Sequence, residues 1–188
     1  MKTHKTLAVL AAALLAGSAA ADSLPPGTLI TGHVSGASTT LLGLDHGFTD
    51  EPGSNTTALA AADLEFMTGD FAVAVDFFSD GHVQVWNNSG AASLPGSYTL
   101  TFDFGAGSPA IAGFVPLDVS GLSGSVNLQV VSEHSISISF SNLGFGTEFG
   151  SFTAQLNVTA VPEPASSALL LAGLGLFAGL RGTRRAVA

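Results

Sequence analysis

Ser135-Ile136-Ser137-Ile138-Ser139-Phe140 alternates hydroxyl and apolar side chains without a break. Successive residues of a strand point to opposite faces, so this stretch spells a β-strand with one buried and one wet face. The same period of two runs through four other stretches. Phe71, Val73, Val75 and Phe77 form one apolar row, and Tyr98, Leu100, Phe102 and Phe104 form another. Val126, Leu128 and Val130 make a third, and Phe152, Ala154, Leu156 and Val158 a fourth.

Turn signals separate these runs. Asp80-Gly81 lies between residues 70–79 and 82–87 and predicts a hairpin closed by a type I′ turn. Leu94-Pro95-Gly96-Ser97, Gly105-Ala106-Gly107-Ser108-Pro109 and Ser120-Gly121-Leu122-Ser123-Gly124 mark further turns. Residues 28–34 and 38–44 read as a first pair of strands, 45–57 as a polar loop, and 57–66 as a short helix around Ala-Leu-Ala-Ala-Ala. The sum is an all-β domain of eight to ten antiparallel strands, expected to fold as a β-sandwich, with a jelly roll as one arrangement of it.

The ends of the chain follow other rules. Lys2 and Lys5 precede an apolar stretch at residues 7–15, and Ala19 and Ala21 supply an A-x-A cleavage site before Asp22. That is a secretory signal peptide over residues 1–21, handled by the Sec machinery and signal peptidase. At the other end, Pro162-Glu163-Pro164 is held extended by its prolines. An uncharged apolar run at 165–180 and a basic end with Arg181, Arg184 and Arg185 follow. As a helix the run would span about 24 Å, against a hydrocarbon core of roughly 30 Å. It is expected to be a short single transmembrane helix with its C-terminus inside.

This tail resembles the PEP-CTERM sorting signal of Gram-negative bacteria, in which Pro-Glu-Pro, a short transmembrane helix and an Arg-rich end follow an N-terminal secretion signal. Gly182-Thr183 splits the basic cluster here, whereas the family pattern is more compact. The resemblance implies an exosortase, a membrane-embedded cysteine transpeptidase, as processing partner, acting near Pro162, Glu163 and Pro164. It also implies transient membrane insertion, delivery to the cell surface or extracellular matrix, and an association with exopolysaccharide and biofilm.

Between these ends lies one domain, residues 22–160. All five Lys and Arg residues stand outside it, and thirteen of the fourteen acids stand inside it. Such a polyanion repels nucleic acid and anionic lipid, so nucleic-acid binding is excluded. With no cysteine in the chain, thiolate metal sites and cysteine nucleophiles are excluded too.

No catalytic constellation is legible. A G-x-S-x-G elbow is missed by one residue at Gly121-Leu122-Ser123-Gly124-Ser125, and His33, His46, His82 and His134 have no zinc-pair spacing. The acids fall in clusters: Asp45, Asp50 and Glu51; Asp63, Glu65 and Asp70; Asp76 near Asp80. The first offers oxygen ligands for Ca²⁺ on a loop, although no EF-hand pattern is present. Two carboxylates could serve a secreted glycosidase only if the fold brought them to a suitable separation. Trp86 and Tyr98 are the candidate platform for a carbohydrate. Three N-x-S/T sequons, at Asn55, Asn87 and Asn157, are read as incidental.

The expected function is therefore that of a non-enzymatic, cofactor-free structural protein at the cell surface or in the matrix. The alternative is a carbohydrate-binding module, Ca²⁺-assisted, and the third reading is a secreted hydrolase.

Overall fold

Eleven strands and one 3-10 turn make up the described part of a computed structural model, which covers residues 24–61 and 63–159. The strands are β1 (Leu29–Gly36), β2 (Leu41–Gly43), β3 (Thr56–Ala58), β4 (Phe66–Thr68), β5 (Val73–Phe77) and β6 (His82–Asn87). They continue as β7 (Ser93–Asp103), β8 (Ile111–Asp118), β9 (Val126–Ser132), β10 (Ser135–Gly144) and β11 (Ser151–Val158). Residues Leu44–His46 form the 3-10 turn. The predicted signal peptide, its cleavage site at Ala19, Ala21 and Asp22, and the whole tail lie outside the described residues. Among the described residues no helix is long and apolar enough to cross a membrane.

Two antiparallel sheets result, with strand orders β3-β1-β7-β10-β9 and β2-β4-β5-β6-β11-β8. Alternation sets the inward rows. On the five-stranded sheet Val34, Leu100, Ile138 and Leu128 stand side by side, with Gly32, Phe102, Ile136 and Val130 in the next row. Val75, Val85 and Phe152 form such a row on the other sheet. The two sets meet in one core. Phe102 of β7 touches Phe77 of β5 at 4.9 Å between ring centres and Phe66 of β4 at 5.2 Å. Phe140 of β10 meets Phe152 of β11 edge to face at 6.4 Å. Fully burying one such ring stabilises the fold by about 1.5–3 kcal/mol.

Several expectations need correction. Among the described residues of 57–66 there is no helix. Leu59 donates its N–H to Thr28 O (2.8 Å) and accepts from Gly27 (2.9 Å), so the segment extends the sheet edge. That pairing satisfies backbone groups which a helix this short could not hold on its own. The strands near 28–34 and 38–44 exist, but as β1 and β2 they belong to opposite sheets and are not a pair.

The β5–β6 hairpin is present, but its turn is not type I′. Gly81 N bonds Phe78 O (2.9 Å), Phe78 N bonds His82 O (2.9 Å), and among the loop residues only Gly81 has positive φ, at 81°. This is a three-residue loop ending in a glycine bulge. Residues 94–97 are not a turn either. They lie inside β7, where Pro95 and Gly96 bulge opposite Asn142, whose Oδ1 accepts from Gly96 N at 2.9 Å. β8, with Pro116 on the sheet edge, was not anticipated.

Candidate functional site

Three short segments enclose a cleft of about 410 Å³: residues 37–40 between β1 and β2, the loop after the 3-10 turn, and the β4–β5 loop. Phe48, Asp50, Asp70 and Phe71 line it together with the hydroxyl residues Ser38, Thr39 and Thr40.

The loops are shaped by unusual backbone. The 3-10 turn ends with Gly47 N bonded to Leu44 O (2.7 Å) and Phe48 N to Gly43 O (3.2 Å), the paired bonds of a Schellman stop. Gly47 takes the left-handed region as expected for such a stop, but Phe48 follows it there with φ 56°. In the β4–β5 loop, Phe71 N bonds Thr68 O (2.7 Å), and Phe71 occupies the left-handed position, φ 57°, that glycine normally fills. For a bulky residue this conformation costs about 1–2 kcal/mol. Asn88 holds the distorted segment, donating N–H to Ala72 O (2.8 Å) and Nδ2 to Phe71 O (2.9 Å). The Phe71 side chain gains little burial in return, since the residue is 52% exposed.

Asp70 is fixed more firmly than its exposure suggests. Thr68 Oγ1 and Ala72 N donate to Oδ1, and the Tyr98 hydroxyl, arriving from the other sheet, donates to Oδ2 at 2.8 Å. Burial pushes the Asp70 carboxyl upward, but these hydrogen bonds outweigh it and hold the group below the ordinary aspartate range. Burial and the neighbouring Asp70 push Tyr98 up to about 12.

The sequence-predicted residues are redistributed by the fold. Of the Ca²⁺ candidates, Asp45 accepts from Ala58 N (2.8 Å), Glu51 pairs with His46 Nδ1 (2.7 Å), and only Asp50 lines the cleft. Among the described residues no three His, Cys, Asp or Glu side chains are grouped to hold a metal ion. Of the carbohydrate candidates, Trp86 is 37% exposed on β6. Tyr98 is only 3% exposed, with its ring stacked on Phe140 at 5.4 Å. The two aromatics lie on different sheets and form no joint platform.

The second acidic cluster separates as well. Glu65 is fully buried just before β4, where Oε1 accepts from Ala60 N (3.0 Å) and Oε2 from Phe77 N (2.8 Å). Burial, reinforced by nearby Asp76, lifts its carboxyl to about 7 against the pull of those two donors. Burial raises Asp76 too, although a hydrogen bond with Glu65 and the charge of His82 work the other way. The pair holds a proton where two isolated carboxylates would not. Its two backbone bonds make Glu65 a clasp between the 60–65 segment and β5. No periodicity marked it; an acid between Leu64 and Phe66 was the one available signal.

One Ser–His contact occurs among the described residues. Ser108 Oγ lies 3.2 Å from His134 Nδ1, but the same hydroxyl bonds Gly105 O (2.8 Å) within its turn, and neither residue lines the cleft.

The outer face of the five-stranded sheet is the second notable surface. Ser35, Thr99, Ser139 and Asn127 stand in register across four strands, and His33, Thr101, Ser137 and Gln129 form the next row. Ser97, Thr99, Ser125, Asn127, Ser139 and Ser141, together with Tyr98 and Phe140, line a shallow depression of about 320 Å³ on it. This array has hydroxyl and amide groups and no formal charge.

These features define an all-β sandwich with one aromatic–acidic cleft and one hydroxyl-lined face. Residues 160–185 match the PEP-CTERM protein-sorting motif, so the tail outside the described residues carries a sorting signal. That motif indicates an exported protein processed by an exosortase. No curated protein and no solved structure matches the chain.

Proposed function

We propose that this is a non-enzymatic structural protein of the cell surface or extracellular matrix, carried to the envelope by its sorting tail and separated from that tail there. The observation that carries the reading is the sorting motif at 160–185, joined to an acidic sandwich that has no Lys or Arg. Once residues 1–21 and the tail are removed, no Lys or Arg remains to hold the product on an anionic membrane. The route runs through the Sec machinery and signal peptidase, an inner-membrane intermediate, and the exosortase. The test is deletion of the exosortase. Full-length chain should then accumulate in the inner membrane, whereas in its presence the intact mass should begin at Asp22 and lack residues 169–188. An exported product that retains Arg184 and Arg185 would overturn the reading.

A second reading, binding to exopolysaccharide in a biofilm, is favoured by the hydroxyl face. A flat, uncharged set of donors and acceptors suits the hydroxyls of a sugar chain, which a highly charged surface would desolvate at greater cost. Thr99→Lys with Ser139→Lys should abolish co-sedimentation with the host polysaccharide and leave the fold intact. Unchanged binding by the double variant would reject this face, and loss of binding with a chelator would point to the Ca²⁺-assisted mode instead.

A further inference from the structure

We infer that the cleft between Phe48, Asp50, Asp70 and Phe71 is a binding site for a small organic ammonium cation. The first argument is charge. The 22–160 domain has thirteen acids and no Lys or Arg, so the carboxylates of this cleft have no internal cationic partner of that kind. Asp50 and Asp70 both face the same space, and Asp70 is locked in place by three donors. The second argument is the rings. An aromatic face attracts a cation within about 6 Å, and most strongly where water is partly displaced. Phe48 and Phe71 line this cleft from backbone that both residues adopt with difficulty.

The composition of the cleft selects among cations. Ca²⁺ requires six to eight oxygen ligands, and two carboxylates, one already accepting three hydrogen bonds, fall short of that. An alkylammonium group is larger and more weakly hydrated, and two rings with two flanking charges satisfy it. The volume, about 410 Å³, admits a group of that size. A neutral sugar would use the hydroxyls of Ser38, Thr39 and Thr40 but would gain nothing from the charges.

The experiment is calorimetric titration of the full-length chain in a neutral detergent. Choline and n-butylammonium should bind, and their neutral counterparts 3,3-dimethylbutanol and n-butanol should bind at least about tenfold more weakly. Binding should weaken as salt is raised. Glucosamine and lysine methyl ester then distinguish a sugar-borne amine from a peptide-borne one, with N-acetylglucosamine as the uncharged control.

Asp50→Asn and Phe71→Asn should each reduce choline affinity by at least about fivefold. Asparagine tolerates the left-handed region, so Phe71→Asn should melt no lower than the parent, which separates loss of binding from loss of fold. Equal binding of the neutral counterparts would overturn the proposal, as would undiminished binding by Phe71→Asn or no ammonium binding at tens of millimolar. Displacement of choline by Ca²⁺ at matched ionic strength would also overturn it in favour of a metal site.

Discussion

Tyr98 joins the two sheets by a single polar contact, and its placement explains why residue type alone misled. In a chain with one Trp and one Tyr, both invite a role in ligand binding. The period of two in β7 puts Tyr98 on the same face as Leu100 and Phe102, and that face is the core. Its hydroxyl then needs a partner and finds Asp70. Tyr98→Phe should therefore lower stability by about 1–2 kcal/mol, read as a fall in Tm, because a hydrogen bond to a charged group is lost.

Glu65 gives the sharper test at this scale. Its folded-state carboxyl titrates near 7, above the ordinary value of 4.5, so the native state binds the extra proton between those values. Stability must then fall as pH rises from about 4.5 to about 7, by an amount on the order of 3 kcal/mol. Denaturant unfolding at pH 5 and pH 8 measures this. Glu65→Gln should flatten the dependence. It should also be less stable than the parent at pH 5, by about 1–3 kcal/mol, because an amide has one acceptor oxygen for two buried N–H donors.

At the level of elements, the long strands were legible because alternation over five or more residues has no other reading. Ser135 to Phe140 is the clearest instance, and it sits within β10. The three-residue strands β2, β3 and β4 were less plain, since so short a run shows too little alternation and is fixed by its neighbours. For the same reason the Ala-rich stretch after Thr57 suggested a helix, whereas Leu59 donates its N–H to Thr28 O and accepts from Gly27 N. Pro95-Gly96 looked like a chain reversal because a bulge uses turn residues, and only the partner strand reveals which it is. The cleft was legible only in part. Asp50 and Asp70 were marked as clustered acids and Phe48 was not marked, while Phe71 was read as the first of an apolar strand row but lies in the loop before β5. Nothing in a phenylalanine's neighbours announces a left-handed backbone.

The β5–β6 hairpin supplies a test of element geometry. A Cβ at Gly81 would lie 2.2 Å from Leu156 O on the adjacent strand, and φ there is 81°. Gly81→Ala combines steric overlap with backbone strain and should cost at least about 3 kcal/mol. A loss below 1 kcal/mol in equilibrium unfolding would contradict the hairpin register.

Across the whole molecule, charge and core act in opposition. One hydrophobic core, with Phe66, Phe77, Phe102 and Phe104 in contact at one end, holds together a domain whose formal charges repel. His46–Glu51 is the one ion pair among the described residues, and it acts as such only when the histidine is protonated. Added salt should therefore stabilise the fold, because screening relieves repulsion and has few attractive pairs to weaken. Tm should rise on going from 20 mM to 500 mM NaCl, and a fall would show that unseen attractions dominate. Glu65→Gln should leave this salt response in place while removing much of the pH response, which separates the local effect from the global one.

The same lack of Lys and Arg decides how the exported domain meets its chemical surroundings. Trypsin-like proteases cut after Lys or Arg, and between Lys5 and Arg181 the chain offers them no bond at all. Amine-directed reagents, from aldehydes to activated esters, find no lysine there either. A domain built this way is invisible to a large class of secreted peptidases whether it is folded or not. Its persistence outside the cell would then rest on composition as much as on stability.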